Sequence, residues 1–277
     1  SSTDKVVLTA GIQQDNIFGS GMTLGMNINT SHINRTISIS QNDPYFTNDG
    51  VSRLTDIYYR TSQPLYYLGD SQFKVVTQGG NLRFGVPFTE NDRVYFGMGL
   101  ENTTITTSAN TPPRYQRYVD AFGTHTMNLP LTVGWSRDWR DSVLAPTSGQ
   151  YQQVNLEYGT PIGNLDYYRA YYQHQLFQPL WKGFTLALNG EVGYGAGVGG
   201  KPFPIFKNYF AGGIGSVRGY QTVFDRTIQL NELRYSYGVG LSWISPLGPL
   251  KLSMGFPLNK KPDDIPQKLQ FQIGTAF

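Results

Sequence analysis

The chain has 277 residues, of which 14% are aromatic and 15% charged, and its formal net charge is +3. This charged content is below the roughly 25% of a typical soluble domain, and no segment approaches the roughly 18 consecutive apolar residues of a membrane-spanning helix. The small charge gives no reason to expect nucleic acid as a partner, and the absence of cysteine excludes disulfides and thiolate chemistry.

Apolar and polar residues alternate with a period of two in many segments, each ended by Gly, Asn, Asp or Pro, and this pattern predicts β-strands. We count about thirteen strand candidates, several of them close to the roughly 9–11 residues that cross a bilayer at a tilt. In chain order, the clearest candidates lie at residues 6–13, 22–29, 81–88, 93–101, 129–136, 184–189, 233–243 and 250–256.

The segment 93–101 shows what the two faces of such a strand carry. One face has Val94, Phe96, Met98 and Leu100, and the other has arginine, tyrosine, two glycines and Glu101. An apolar face suits lipid, whereas a face of charged residues and glycine suits a water-filled lumen. Strands of soluble sandwiches are mostly shorter, at about 5–6 residues. We therefore predict an all-β, antiparallel transmembrane β-barrel, with a soluble sandwich or solenoid as the alternative.

Aromatic pairs and connection lengths agree with a barrel. Tyr45-Phe46, Tyr66-Tyr67 and Tyr167-Tyr168 lie near strand ends, where interfacial aromatic girdles belong. Asn91-Asp92 and Pro246–Pro249 are tight, as periplasmic turns are, whereas Ser108–Met127 and Gly195–Thr222 are long and irregular, as extracellular loops are. No linker divides the chain, so residues 1–277 are predicted to form one barrel domain.

No residue pattern indicates catalysis or metal binding. His32, His125 and His174 are far apart, and no Gly-x-Ser-x-Gly motif is present. The pairs Arg137/Asp138 and Arg140/Asp141 are interpreted as lumenal salt bridges near a turn. We expect a protein that is not an enzyme and has no cofactor and no metal.

The C-terminal segment from Lys268 to Phe277 alternates strictly and ends on an aromatic residue. In a membrane barrel such a strand must close the sheet, because an open edge leaves backbone groups unpaired at several kcal/mol each. The segment also resembles the β-signal by which bacterial outer-membrane proteins are recognised for assembly. Its outward face is predicted to carry Leu269, Phe271, Ile273, Thr275 and Phe277.

A glycine-rich run from Gly195 leads to Val217-Arg218-Gly219-Tyr220. A nucleotide-binding loop is excluded, because the run has no Walker lysine-serine pair and no following helix. The run resembles the sixth extracellular loop of the BamA family of barrel-assembly factors. In that family the loop folds back into the barrel, and its arginine pairs with acidic groups of the inner wall. The resemblance therefore implies that Arg218 is a structural latch, since its planar fork suits bidentate carboxylate contacts.

Other segments resemble the same family in the same order, among them Asn42–Thr47, Pro146–Gly149 and Trp243–Leu250. The family barrel is sixteen-stranded and follows periplasmic POTRA domains, and we expect this chain to be the barrel domain without them. Only a dozen or so residues separate Tyr220 from Leu233, where the family has roughly two more strands. We therefore expect that the chain lacks some strands, and Asp225 is a possible partner of Arg218.

The resemblance implies a non-enzymatic insertase of the bacterial outer membrane. Its partners would be outer-membrane lipids, unfolded β-barrel clients and lipoprotein subunits that bind mainly to the absent POTRA domains. Clients would enter through a lateral seam between the first and last strands, with Gly274 as a weak point of pairing. On the C-terminal side the predicted seam residues are Leu269, Phe271, Ile273, Gly274 and Phe277. The alternative is a TamA-like or two-partner-secretion polypeptide transporter, and a diffusion porin is a weaker third option.

Overall fold

The computed structural model describes most of the chain up to residue 207 and separate strand segments after it. The described residues are 7–31, 34–63, 73–108, 111, 113–143, 145–181, 184–207, 219–220, 236–245, 248–257, 266–267 and 269–273.

Strands dominate the structure. They are β1 (Val7–Gln14), β2 (Thr23–Ser31), β3 (Asn34–Asp43), β4 (Ser52–Ser62), β5 (Lys74–Pro87), β6 (Asp92–Thr106), β7 (His125–Asn128), β8 (Pro130–Asp138), β9 (Gly149–Gly159), β10 (Tyr167–Trp181), β11 (Phe184–Gly197), β12 (Gly219–Tyr220), β13 (Ser236–Ser245), β14 (Gly248–Pro257), β15 (Pro266–Gln267) and β16 (Leu269–Ile273). One α-helix, α1 (Pro113–Phe122), and two short 3-10 turns, Ile17–Gly19 and Ile205–Lys207, complete the described elements.

Thirteen of these strands form one antiparallel path in which neighbours along the chain are neighbours in the sheet. The path runs β1-β2-β3-β4-β5-β6-β8-β9-β10-β11-β13-β14-β16, and β7 pairs with the far end of β6. Strands β12 and β15 pair separately. The prediction of an antiparallel β fold is confirmed, and the described path has about the number of strands that the alternation indicated.

Register and exposure identify the two faces of the sheet. On β6, Phe96, Met98 and Leu100 are 50–56% exposed, whereas Thr103 and Ile105 on the opposite face are 8% and 2% exposed. Directly opposed residues of antiparallel strands lie on the same face, so these residues mark an apolar outer face and an inner, lumenal face around the sheet. The faces of β6 are those that the alternation predicted.

The connections lie at two rims. The turn rim carries connections 15–22, 44–51, 88–91 and 139–148, and the loop rim carries 107–124, 160–166 and 198–207. Since β6 runs from Asp92 to Thr106, the Asn91-Asp92 turn and the Ser108–Met127 segment lie at opposite rims, as predicted. Strand β13 runs toward the turn rim, because Trp243 pairs with Phe184 at the start of β11.

The prediction that the segment Ser108–Met127 is irregular is wrong for much of its length, because the segment contains α1 and most of β7. Pro113 occupies the first helical position, which suits a residue without an amide hydrogen. Tyr115, Tyr118, Val119 and Phe122 then recur at helical spacing and pack inward. Among the described residues, no helix has the length and apolar character needed to cross a membrane.

A hydrophobic cluster, here called the rim cluster, fills the lumenal side of the loop rim. It joins β5, β6, α1, the start of β10 and the segment after β11. Its buried members are Phe73, Val75, Ile105, Tyr115, Tyr118, Leu165, Tyr167, Phe203 and Ile205, with Val119, Phe122 and Phe206 packed against them. Burying one such side chain stabilises a fold by about 1.5–3 kcal/mol, so the cluster holds these separate connections together.

Candidate functional site

The segment 203–207 follows β11 and turns back into the lumen at the loop rim. Gly199 and Gly200 have positive φ angles of 65° and 78°, a conformation that favours glycine. The Val198 amide donates to the Asp166 carbonyl at 2.9 Å, and a Cβ at Gly197 would overlap the Lys201 carbonyl. Glycines in this loop therefore permit a reversal that most residues would obstruct.

Phe203 is the first residue of the segment to contact the wall. Its ring packs edge-on against Tyr167, with a centroid separation of 5.7 Å and an interplanar angle of 86°. The ring also covers Gly195 of β11, where a Cβ would lie 2.6 Å from it. Phe203 thus occupies the space that a side chain at position 195 would need.

Lys207 joins the segment to two strands of the inner wall. Its Nζ lies 2.6 Å from Glu101 Oε2 on β6 and 3.3 Å from Glu157 Oε1 on β9. The residue is 9% exposed, and its ammonium also lies 5.8 Å from the centroid of the Tyr167 ring. One buried ammonium therefore bridges carboxylates that come from non-adjacent strands.

Neighbouring side chains satisfy the oxygens of Glu101. The Tyr58 hydroxyl donates to Glu101 Oε1 at 2.9 Å from β4, passing over Gly79 of the intervening strand. Asn128 Nδ2 lies 3.3 Å from Glu101 Oε2 and 3.0 Å from the Tyr167 hydroxyl oxygen. The carboxylate of Glu101 is thereby held from three sides.

Glu157 is held in the same way. The Tyr167 hydroxyl donates to Glu157 Oε1, and Arg169 lies 2.6 Å from Glu157 Oε2. Arg169 also donates to the Lys207 carbonyl at 3.2 Å, so it fixes the backbone of the segment as well. We call the set Lys207, Glu101, Glu157, Arg169, Tyr58, Tyr167 and Asn128 the lumenal network.

The lumenal network is balanced in charge, with two cations and two carboxylates. Such groups are costly to remove from water unless they are paired and hydrogen-bonded. Removing one partner leaves the other buried and unpaired, which typically destabilises a protein by about 3–5 kcal/mol. The network is therefore an attachment point for the segment, in which each carboxylate is paired with a cation.

Helix α1 is joined to the same rim. The Tyr118 and Thr126 hydroxyls lie 3.0 Å apart, and burial raises the pKa of Tyr118 to about 12. The phenol therefore stays neutral over the physiological range and remains in the rim cluster, hydrogen-bonded to Thr126. The helix is thus fixed above the lumen beside the segment 203–207.

The turn rim carries ion pairs of a different kind. Arg137 pairs with Asp92 at 2.7 Å, and Arg140 pairs with Asp138 at 2.6 Å. The Asp138 side chain's bonds to Arg140 raise the pKa of that guanidinium. Asp141 instead accepts from the Thr147 and Ser148 amides and from the Thr147 hydroxyl. The hydroxyl's bond is the main cause that lowers the pKa of Asp141 to about 2.

The predicted pairings Arg137/Asp138 and Arg140/Asp141 are therefore wrong. Consecutive residues of a strand point to opposite faces, so Arg137 cannot readily meet Asp138. Arg137 shares the outer face with Leu131 and Val133, which are 48% and 44% exposed. It is not a lumenal residue.

Several predicted site residues cannot be placed. Val217, Arg218, Asp225, Gly274 and Phe277 lie outside the described residues, so the latch role of Arg218 stays a prediction. Gly219 and Tyr220 form β12 and pair with Gln267 and Pro266. On β16, Leu269, Phe271 and Ile273 pair with Met254, Leu252 and Leu250 of β14.

The histidines are not brought together where the structure describes them. His125 Nδ1 lies 3.0 Å from Thr104 Oγ1, and His174 Nε2 lies 3.1 Å from Gln150 Oε1. Within the described part of the chain, no group of three or more His, Asp or Glu side chains could hold a metal ion.

Lys207 and Glu157 were not predicted from the sequence, although Glu101 was assigned to the polar face of its strand. Two signals were available. Lys207 is one of two lysines in the glycine- and aromatic-rich run before Val217, and Glu157 alternates with apolar residues in β9. Neither signal says which side chains meet across the lumen.

Comparison with known proteins identifies relatives that match almost the whole chain. The Omp85 superfamily domain matches residues 16–224 and 222–277. The two matches meet between Tyr220 and Leu233, where the order of motifs indicates missing strands. Outer membrane protein assembly factor BamA of Neisseria meningitidis serogroup B is 34% identical over 360 residues, which include 98% of this chain and 45% of that protein. The chain thus spans less than half of this relative.

Solved structures show the same fold. BamA from Haemophilus ducreyi lacking POTRA domains 1–3 superimposes with a TM-score of 0.77 at 22% identity, covering 98% of this chain and 67% of that one. CdiB from Acinetobacter baumannii gives a TM-score of 0.58 at 15% identity, covering 96% of this chain and 48% of that one. At these identities the likeness concerns the fold alone.

Proposed function

The chain belongs to the Omp85 superfamily and is a bacterial outer-membrane protein, and from this premise we propose that it is the barrel of an assembly factor that inserts other β-barrels. Support comes from the BamA of Neisseria meningitidis, which is named an outer membrane protein assembly factor. The structural observation that carries the proposal is the segment 203–207, folded into the lumen and bound there by Lys207.

A segment bound in this way favours a function at the barrel wall over the passage of a solute or polypeptide through the lumen. The lumenal network and the rim cluster occupy the lumenal side of the loop rim, where a diffusing solute would have to pass. A client strand at the sheet edge meets no such obstacle. An edge strand offers unpaired backbone groups, and strand addition to such an edge is a general mode of recognition.

We place the client's entry at a lateral seam between the two end strands. Among the described strands, β1 and β16 end the sheet path, and each pairs with one neighbour, β2 or β14. In this proposal Leu269, Phe271 and Ile273 form the C-terminal side of the seam, together with Gly274 and Phe277. The reaction consists of exchange of backbone hydrogen bonds and burial of apolar residues, so it requires no catalytic residue and no cofactor.

Arg218 gives the same loop a second attachment in this proposal. It follows Lys207 by eleven positions, and a guanidinium can bind a wall carboxylate in bidentate fashion. Asp225 is the candidate partner within the chain. Clients and lipoprotein subunits of an assembly complex are the proposed protein partners, the latter through domains that precede the barrel in the relatives, and nucleic acid is not among them.

A polypeptide transporter of the same superfamily is the second candidate, favoured by the fold shared with CdiB. The two functions predict different conductance. A transporter that opens its lumen would carry a steady ionic current in a planar bilayer, whereas an assembly factor with Lys207 bound in the lumen would conduct poorly and erratically.

The proposal is tested by reconstituting the protein in liposomes and following the folding of a urea-unfolded β-barrel client by its shift in gel mobility. We expect faster folding than in empty liposomes, slower folding with Arg218→Ala, and the native rate with Lys201→Met as a control. Equal rates in empty liposomes and in liposomes with the native protein would contradict the assembly function. Native rates with Arg218→Ala would contradict the second attachment.

A further inference from the structure

Two arginines lie on the outer face of the barrel near the turn rim. Arg53 of β4 pairs with Phe84 of β5 and shares its face with Ile57, which is 64% exposed. Arg137 of β8 shares its face with Leu131. This is the face that meets lipid, and a charge on it is tolerated only near the interfaces, where its cost falls to about 0–1 kcal/mol.

Both guanidinium groups lie against aromatic rings. Arg53 Cζ is 4.6 Å from the centroid of Phe46, and Arg137 Cζ is 5.3 Å and 5.0 Å from the centroids of Trp135 and Trp139. Cation–π contacts of this kind hold a guanidinium plane in a fixed orientation at the membrane boundary.

The two arginines differ in their partners. Arg137 donates from Nε and Nη2 to both oxygens of Asp92. In Arg53, Nε is buried, and no described residue accepts a hydrogen bond from it. Asp43 stands opposite Arg53 in the ladder, but its carboxylate accepts from the Tyr45 amide, and no ion pair joins the two within the described part of the chain.

Burial closes Arg53 Nε to any lipid phosphate, so an outside partner would meet Nη1 and Nη2 at the open end of the guanidinium. Near the membrane interface the groups outside the protein are water and lipid head groups, and of these the head-group phosphates carry anionic oxygens. A guanidinium fork matches the geometry of phosphate oxygens and prefers anionic partners. Phe46 blocks one side of the Arg53 plane, which leaves the edge of the fork to the lipid.

We propose that Arg53, supported by Phe46, binds the phosphate of an anionic phospholipid in the leaflet around the turn rim. Arg137 is the internally paired counterpart, in which Asp92 takes the place of the lipid phosphate. The site fixes the height of β3 to β5 in the bilayer. It depends on the chain's place in the outer membrane and not on the assembly activity.

The test counts bound lipid by native mass spectrometry of the detergent-purified protein titrated with phosphatidylglycerol. Compared with the native protein, Arg53→Gln is expected to bind its first phosphatidylglycerol about tenfold more weakly, and Arg53→Lys to fall between them, since lysine loses the fork. Arg137→Gln is expected to retain native affinity, because its guanidinium is already bound to Asp92.

Two further arms distinguish a lipid site from a free-phosphate site and from a loss of folding. Glycerol 1-phosphate at the same concentrations is expected neither to bind nor to compete, whereas effective competition by it would contradict a lipid site. The far-ultraviolet circular dichroism of Arg53→Gln is expected to match the native spectrum. Native phosphatidylglycerol affinity in a folded Arg53→Gln protein, or an equal loss in Arg137→Gln, would overturn the proposal.

Discussion

The loop rim and the turn rim both contain buried or half-buried ion pairs, yet they connect different parts of the chain. At the loop rim, Lys207 and Glu101 are 106 positions apart, and their contact needs the whole intervening sheet. At the turn rim, Arg140 and Asp138 are two positions apart, and Asp141 and Thr147 are six apart. The loop rim is therefore held by contacts between residues that are distant in sequence, whereas the turn rim is held largely by contacts within local turns. Substitutions at the two rims should differ accordingly.

Lys207→Met should have the largest effect. It leaves Glu101 and Glu157 facing one another without the shared ammonium, so the free energy of unfolding is expected to fall by about 3–5 kcal/mol. Urea-induced unfolding in detergent micelles measures this change. Lys201→Met, in the same loop but exposed, is the matched control and should stay within about 0.5 kcal/mol of native. Equal stability of both variants would show that the contacts of Lys207 do not stabilise the loop rim.

Gly195→Ala should have the next largest effect, because its Cβ would lie 2.6 Å from the Phe203 ring. Overpacking of this kind typically costs about 1–3 kcal/mol. Gly190 lies on the same strand, and a Cβ there would meet nothing within 4 Å, so Gly190→Ala should be nearly neutral. The same unfolding measurement applies. A neutral Gly195→Ala would indicate that Phe203 is not held against the wall.

Tyr167→Phe should have a smaller effect. It removes the hydroxyl that donates to Glu157 and accepts from Asn128, but Lys207 and Arg169 still hold Glu157. We expect a loss of about 1–2 kcal/mol. A double-mutant cycle with Lys207→Met measures whether the two residues act together. Strict additivity would argue against a single network.

The smallest and most local effect is expected at the turn rim, where protonation of Asp141 should make the stability of the turn depend on pH. Because the pKa of Asp141 is lowered from 3.8 to about 2, its ionised form stabilises the turn fully above pH 4 or so, and this contribution is lost as the pH falls toward 2. The protection factors of the Thr147 and Ser148 amides against hydrogen exchange should fall over that interval, and Asp141→Asn should remove this dependence. Protection factors that change instead between pH 6 and pH 8 would rule out this carboxylate.

Sequence reasoning succeeded where the determinant is local. The alternation of Phe96, Met98 and Leu100 with Gly97 and Gly99 was enough to assign the faces of β6, because the period of a strand is fixed by its backbone. Helix α1 was missed, although Tyr115, Tyr118 and Phe122 have helical spacing, because it lies inside a segment that was interpreted as an irregular loop.

The site was less accessible from sequence, because its contacts join strands through the lumen. Glu101 could be assigned to the inner face, yet nothing in the local pattern says that Lys207 returns to meet it. Arg137 shows the opposite failure, in which nearness in sequence suggested a partner that strand geometry forbids. Register across β6 and β8 supplies Asp92 instead.

The central claim, that Lys207 holds the segment 203–207 in the lumen, can be tested directly because the chain contains no cysteine. Ile205 is 6% exposed in the rim cluster, so Ile205→Cys introduces a single buried thiol beside the lumenal network. The measurement is its rate of reaction with a charged maleimide in proteoliposomes. We predict slow labelling in the otherwise native chain and with Lys201→Met, and labelling at least about tenfold faster with Lys207→Met, because opening of the segment exposes the thiol. Equal labelling rates of the Ile205→Cys thiol with Lys207 and with Lys207→Met would contradict the claim that Lys207 holds the segment in the lumen.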